Sequence, residues 1–252
     1  MSFEVTAENY SRFMGRWADP LAIAFADFVD VQPGDRVLDV GCGPGTLTAV
    51  LVDRLGSGSV SAIDPSESFV RATAARFPDV STTSGAAEDL PYPDDAFDLA
   101  LAQLVVHFMS DPVAGLREMG RVTRPGGVVA ACVWDHAGGQ GPLSPFWDAV
   151  AELDPDAPGE AQLPGTTQGH LVQLASQAGL TAPSGGALTV AVRCDTVEDW
   201  WGPFTLGVGP SGDYVAGLSE ERRARLQELC TQRLPKAPFE IQATAWTMRA
   251  RA

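Results

Sequence analysis

The chain has 252 residues, 45% apolar and 19% charged, which suits one α/β domain with a sizeable core and excludes a disordered or fibrous chain. Its 32 acids against 17 scattered bases leave a formal charge of −15, a surface that repels phosphate backbones and argues for a small-molecule substrate over nucleic acid or a membrane surface. Cys42, Cys132, Cys194 and Cys230 lie far apart, the N-terminal stretch lacks a signal-peptide pattern, and the most apolar window, LALAQLVVHFM, is too short for a bilayer, so the expectation is a cytoplasmic protein without a membrane span or metal-ligand cluster.

In chain order, residues 1–34 read as an N-terminal helical cap, with Phe25, Phe28 and Val29 at helical spacing and a QPGD turn behind them. Residues 35–135 read as the core. RVLDV (36–40) is a buried strand, Thr46 to Leu55 a helix, SVSAID (59–64) a second strand and Pro65 to Phe77 a second helix. VSTTS (80–84), FDLALAQ (97–103) and GVVAACVW (127–134) supply three more strands at crossover spacing. Between the last two, Asp111 is an N-cap, Pro112 the first helical residue, and Val113, Leu116, Met119 and Val122 a buried stripe. Strand and helix alternate, which predicts a parallel, doubly wound sheet.

Beyond Trp134 the pattern changes. Residues 136–218 hold Gly/Pro-rich stretches, a short FWDAVAEL helix, a helix stopped by Gly179, a strand at 187–194 and a glycine-rich loop after VEDWWGPF. This segment reads as a lid over an apolar substrate pocket, inserted after the fifth strand. Residues 219–252 then give an amphipathic helix from Ser219 to Leu234 and a final alternating strand, FEIQATAWTMRAR, completing the sheet.

Chemistry concentrates at VLDVGCGPGTLT. Gly41, Gly43 and Gly45 follow the first strand and precede a helix, the place where open α/β sheets bind ligands against bare backbone. A dinucleotide fingerprint needs Gly-x-Gly-x-x-Gly, and here the third glycine comes one residue early, a spacing better suited to a nucleoside. Asp64 closes the second strand, where its carboxylate can accept from both hydroxyls of a ribose. Since DPSES also opens a helix, the same carboxylate has a second role available as an N-cap.

VLDVGCGPGTLT, AIDPSE, AAEDLPYPDDAFD and LREMGRVTRPGGVV together resemble the successive motifs of class I S-adenosylmethionine-dependent methyltransferases, the broad group that includes ubiquinone and menaquinone C-methyltransferases and many small-molecule methyltransferases. The resemblance implies a Rossmann-like sheet of seven strands with the last antiparallel. It implies methyl transfer from S-adenosylmethionine, leaving S-adenosylhomocysteine, to O, N or C of a small acceptor. Asp39 and the turn of Gly41, Cys42, Gly43, Pro44 and Gly45 would hold the methionine moiety, and Asp64 the ribose. Pro65 and Ser66 would flank the adenine, Ala87 and Glu88 meet its edge, and Gln103 face the cofactor. The family often has an acid just before that Ala-Glu pair, where this chain has Ala86.

A sulfonium methyl is already electrophilic, so alignment and exclusion of water carry the reaction and a base is optional. His107, after the fourth strand, is a candidate base or a packed ring. Asp135, a further catalytic candidate, and His136 stand past the fifth strand, facing substrate or lying in a surface loop. Trp134, Trp147, Trp200 and Trp201, with His136, are candidates for the acceptor pocket, with ordinary core packing as the alternative for the indoles. Tyr10 and Arg16 could close over the cofactor from the leader, Arg16 by pairing with its carboxylate or, alternatively, by lying on a solvated helix face. A nicotinamide-dependent oxidoreductase, a nonenzymatic S-adenosylmethionine-binding regulator and an enzyme using that cofactor for other chemistry remain open.

Overall fold

The computed structural model describes residues 7–252; residues 1–6 of the expected cap lie outside them. The leader is helical, built of α1 (Ala7–Tyr10), a π-helical turn (Ser11–Gly15) and α2 (Arg16–Val29). Trp17, Leu21, Phe25 and Val29 recur at four-residue spacing and form its buried stripe. Asp30, in left-handed conformation at φ 63°, ends α2.

Five parallel strands follow: β1 (Val37–Val40), β2 (Val60–Asp64), β3 (Ser81–Ser84), β4 (Phe97–Gln103) and β5 (Thr123–Trp134). They are linked through α3 (Thr46–Leu55), α4 (Glu67–Arg76) and α5 (Pro112–Val122). β1, β4 and the Val128–Trp134 part of β5 are mostly apolar because both faces of the sheet are covered. α6 (Ser144–Leu153), α7 (His170–Gln177), β6 (Thr181–Cys194), α8 (Val197–Trp201), α9 (Gly209–Ala216), α10 (Glu220–Arg233) and β7 (Phe239–Arg251) complete the chain.

The seven strands lie in the order β3-β2-β1-β4-β5-β7-β6, and β7 runs antiparallel to both of its neighbours. From β1 the chain winds outward to β3, then returns across β1 to β4. The carboxyl ends of β1 and β4 therefore part at the switch point, where a crevice opens in sheets of this kind. One apolar cluster joins α2, α3, α6, α8 and α10 on one face, and a second joins α5 and α7 on the other.

Several elements differ from the sequence expectation. β6 begins at Thr181 rather than 187, because the edge position and a register shift between Thr181 and Ser184 accommodate Pro183 and two glycines. β5 begins at Thr123, four residues before the apolar run. The glycine-rich loop after VEDWWGPF contains α9, whose Pro210 sits in the first turn and whose Val215 is buried. Within the segment 136–218, α7 and β6 extend the sheet layers, whereas α6 packs through Phe146 on Phe204, in the 3-10 turn after α8, stacked at 4.5 Å.

Candidate functional site

β1 leads into a turn in which Gly41, Gly43 and Gly45 all have positive φ, at 70°, 54° and 89°. The three differ in surroundings. A Cβ on Gly41 would lie 2.4 Å from Val105, and one on Gly45 would touch Thr73 and Phe77 at 3.1 Å. At Gly43 it would meet no protein atom within 4 Å, because that backbone faces the crevice. Gly41 and Gly45 thus permit close packing, and Gly43 leaves ligand space.

The turn is tied to β2. The amides of Gly41 and Cys42 donate to the Ile63 carbonyl at 2.7 and 3.0 Å. Asp64 Oδ2 accepts from Gly43 N–H at 2.9 Å, and Oδ1 from Ser66 N–H at 2.8 Å. Ser66 rather than Asp64 is the N-cap residue of α4. Each carboxylate oxygen has further acceptor capacity beyond its backbone bond. Burial raises the Asp64 pKa, opposed by those two amides. Asp39, inside β1, is 1% exposed and accepts from Thr48 Oγ1 at 2.6 Å. Burial pushes its carboxyl up to about 7.

Together these groups border a cavity of about 540 Å³. Gly41, Gly43, Asp64 and Pro65 form one side and Ala87 and Glu88 another, with Gln103 at the end of β4 and His107 beyond it. Cys42 and Pro44, with Asp39, border a recess beneath the turn. Gln103 donates through Nε2 to the Ala18 carbonyl at 3.0 Å, while its buried Oε1 has no protein partner. Glu88 Oε1 accepts from the amides of Ser110 and Asp111 at 2.7 and 3.2 Å, fixing the loop ahead of α5. Tyr10 reaches the cavity from the leader and lies edge-on to Phe69, centroids 5.3 Å apart.

His107 is buried, its Nδ1 without a protein partner, and burial with His136 nearby depresses its pKa well below that of free histidine. The two imidazole centroids are 6.1 Å apart. His136 is pushed down to about 4 by burial, so both rings are neutral at pH 7. Trp134 and His136 border a second, smaller cavity next to the first.

The remaining candidates lie elsewhere. Asp135 Oδ1 accepts from Gly138 N–H at 2.7 Å, and the residue borders neither cavity. Arg16 donates to the carbonyls of Asp199 and Arg193 at 2.9 and 3.1 Å and pairs with the Asp199 carboxylate at 3.4 Å, so its guanidinium joins α2 to the start of α8. Trp200 and Trp201 pack around Phe204, centroids 4.8 and 6.0 Å away, and border neither cavity. Trp147 donates its indole N–H to Glu160 Oε2 at 2.8 Å.

Sequence reasoning passed over Glu160, Leu163, Pro164 and Phe69. Phe69 carried a signal, as the first large apolar residue of the helix after Asp64. Glu160 lies among glycines and prolines with no periodic pattern to mark it as buried. Leu104, at φ 60°, holds an uncommon backbone conformation at the crevice wall.

Residues 38–131 match a family model described as a methyltransferase domain. An uncharacterized methyltransferase of Schizosaccharomyces pombe is 34% identical over 146 residues, 50% of this chain and 52% of that protein. A demethylmenaquinone methyltransferase of Lysinibacillus sphaericus is 31% identical over 135 residues, 50% of this chain and 58% of its own. The chain thus spans about half the length of these curated relatives. A SAM-dependent methyltransferase from Thermotoga maritima shares the fold at TM-score 0.52 and 20% identity, covering 97% of this chain and 98% of the other. The [4+2]-cyclase SpnF does so at TM-score 0.56 and 20% identity, covering 92% and 80%.

Proposed function

We propose that this protein is an S-adenosylmethionine-dependent methyltransferase acting on a small-molecule acceptor, a reading supported by the match of residues 38–131 to a methyltransferase-domain model and by the seven-stranded sheet. The observation that carries the reading is the Asp64 carboxylate, held at the crevice mouth by the amides of Gly43 and Ser66 with acceptor capacity left for a ribose. The crevice fits the cofactor in two further ways. Gly43 leaves open space where a side chain would stand, and Gln103 Oε1 is a buried acceptor awaiting a donor.

Bound there, the cofactor would supply an electrophilic methyl group on a sulfonium sulfur. The protein's part is binding, orientation and exclusion of water. Asp39 and the Gly41–Gly45 turn would hold the methionine portion, Pro65, Ser66, Ala87 and Glu88 the adenine, and Gln103 and Tyr10 the open side. Among the described residues no lysine or arginine borders the crevice, so its field favours the positively charged donor over the neutral product. His107, neutral and buried, would be a hydrogen-bond group at the acceptor side, and the burial that depresses its pKa makes it a poor proton acceptor for a nucleophile.

The acceptor is a small molecule rather than a nucleic acid in this reading, given the formal charge of −15. Among the described residues no helix is long and apolar enough to cross a membrane and no metal-ligand cluster occurs. The four cysteines are free and buried, in keeping with a reducing cytoplasm. Because a [4+2]-cyclase has the same fold, the test must follow the methyl group. Incubation with S-adenosylmethionine and a panel of small hydroxyl, amine and activated-carbon acceptors, read by mass spectrometry, should show S-adenosylhomocysteine and an acceptor heavier by one methylene. Cofactor binding with no methylated product from any acceptor would overturn the enzymatic reading in favour of a regulator.

A further inference from the structure

Past Tyr10 and His107, which border both spaces, the crevice adjoins the second cavity, of about 30 Å³. That is room for a few heavy atoms, about the size of a reacting group and too little for a whole acceptor. Its polar furniture is unusual. Glu160, 5% exposed, accepts the Trp147 indole N–H on Oε2, and its carboxylate has acceptor capacity beyond that bond. Trp134 Nε1, His107 Nδ1 and Ser211 Oγ belong to residues around the same cavity and are buried without a protein partner. No arginine or lysine borders it among the described residues.

Buried polar groups in native proteins are almost always satisfied, and three such atoms on residues around one cavity, with the Glu160 carboxylate beside them, point to a guest that satisfies them. Their chemistry defines that guest. An indole N–H can only donate, and the ionised form of Glu160, whose pKa burial raises to about 7, can only accept. A hydroxyl meets both at once, giving its proton to Glu160 and receiving the N–H of Trp134. An ammonium has no lone pair for the indole, and a carboxylate or phosphate would face Glu160 with no cation to balance it.

We propose that this chamber is the acceptor subsite and that it takes the uncharged hydroxyl of an alcohol or phenol, bound between Glu160 and Trp134, while the rest of the acceptor stays in the larger crevice. The inference rests on reading the larger crevice as the cofactor site, and it assigns to Glu160 a substrate contact that neither motif nor spacing marks.

The test is calorimetry on the full chain loaded with S-adenosylhomocysteine, using phenol, benzylamine and benzoate as probes of equal ring size. Phenol should bind at least tenfold more tightly than the other two. Glu160→Leu and Trp134→Phe should each weaken phenol about tenfold while leaving S-adenosylhomocysteine affinity within twofold. Glu160→Gln, which keeps shape and loses charge, serves where the leucine variant fails to fold, with the same expected loss. Benzoate or benzylamine matching phenol, phenol affinity unmoved by the variants, or no saturable phenol binding would each overturn the subsite while the cofactor reading stands. Failure of S-adenosylhomocysteine to bind the unaltered protein would overturn both.

Discussion

Gly43 and Asp64 are joined by a single hydrogen bond of 2.9 Å, from the glycine amide to the carboxylate, which locks the turn after β1 to the end of β2. The same glycine is the one in the Gly41–Gly45 turn whose missing side chain leaves open space inside the crevice. Rigid mouth and bare floor are thus consequences of one residue.

Gly43→Ala should separate binding from folding. Its backbone has a φ of 54°, costing a β-carbon about 1–2 kcal/mol, but the added methyl meets no protein atom. The variant should fold, melt a few degrees lower, and bind S-adenosylhomocysteine at least tenfold more weakly. Gly41→Ala, driven against Val105 at 2.4 Å, should instead lose most soluble expression. Denaturation and calorimetry on the two variants measure the contrast, and equal behaviour would contradict the different roles assigned to the two glycines.

Asp39→Asn tests the cost of the buried carboxylate. The folded-state value of about 7, against 3.8 for the free side chain, means that the native state binds the proton more tightly than the unfolded one. This group's contribution to stability therefore falls as pH rises from about 4 to about 7 and is constant above. The asparagine variant should gain stability over wild type across that window, reaching about 2–4 kcal/mol at pH 8, with weaker cofactor binding. Chemical denaturation at pH 4.5, 6 and 8 reads it; a difference independent of pH would show that Asp39 does not titrate as buried.

Arg16→Ala and Trp200→Ala address the helical face. Arg16 is held by Asp199 and two backbone carbonyls away from the crevice, so its loss should cost about 1 kcal/mol of stability and leave S-adenosylhomocysteine affinity within twofold. Trp200, 3% exposed against Phe204, should cost about 3–5 kcal/mol when truncated. A tenfold loss of cofactor affinity in the arginine variant would return that side chain to the site.

The region 36–134 was legible because each of its elements signals locally. Strands buried on both faces read as apolar runs, Asp111 and Pro112 mark a helix start, and three spaced glycines mark a turn with positive φ. The count of seven strands and the antiparallel β7 came through the family resemblance, since pairing depends on contacts remote in sequence. α9 was missed because GPSGDYVA has poor helix propensity and is stabilised by burial of Val215. Trp200 illustrates the limit: composition shows that an indole will be buried, not whether against a ligand or against Phe204. Glu160 shows the converse, a carboxylate in a Gly/Pro-rich stretch whose burial follows from how Trp147 folds over it.

Titration calorimetry of S-adenosylhomocysteine and NADH against the unaltered chain and Asp64→Ala decides whether Asp64 and the turn at Gly43 grip one nucleoside. Saturable binding of S-adenosylhomocysteine is expected, with a loss of at least tenfold in the variant and no binding of NADH. Tight NADH binding, or S-adenosylhomocysteine affinity unchanged by removal of the Asp64 carboxylate, would contradict that grip.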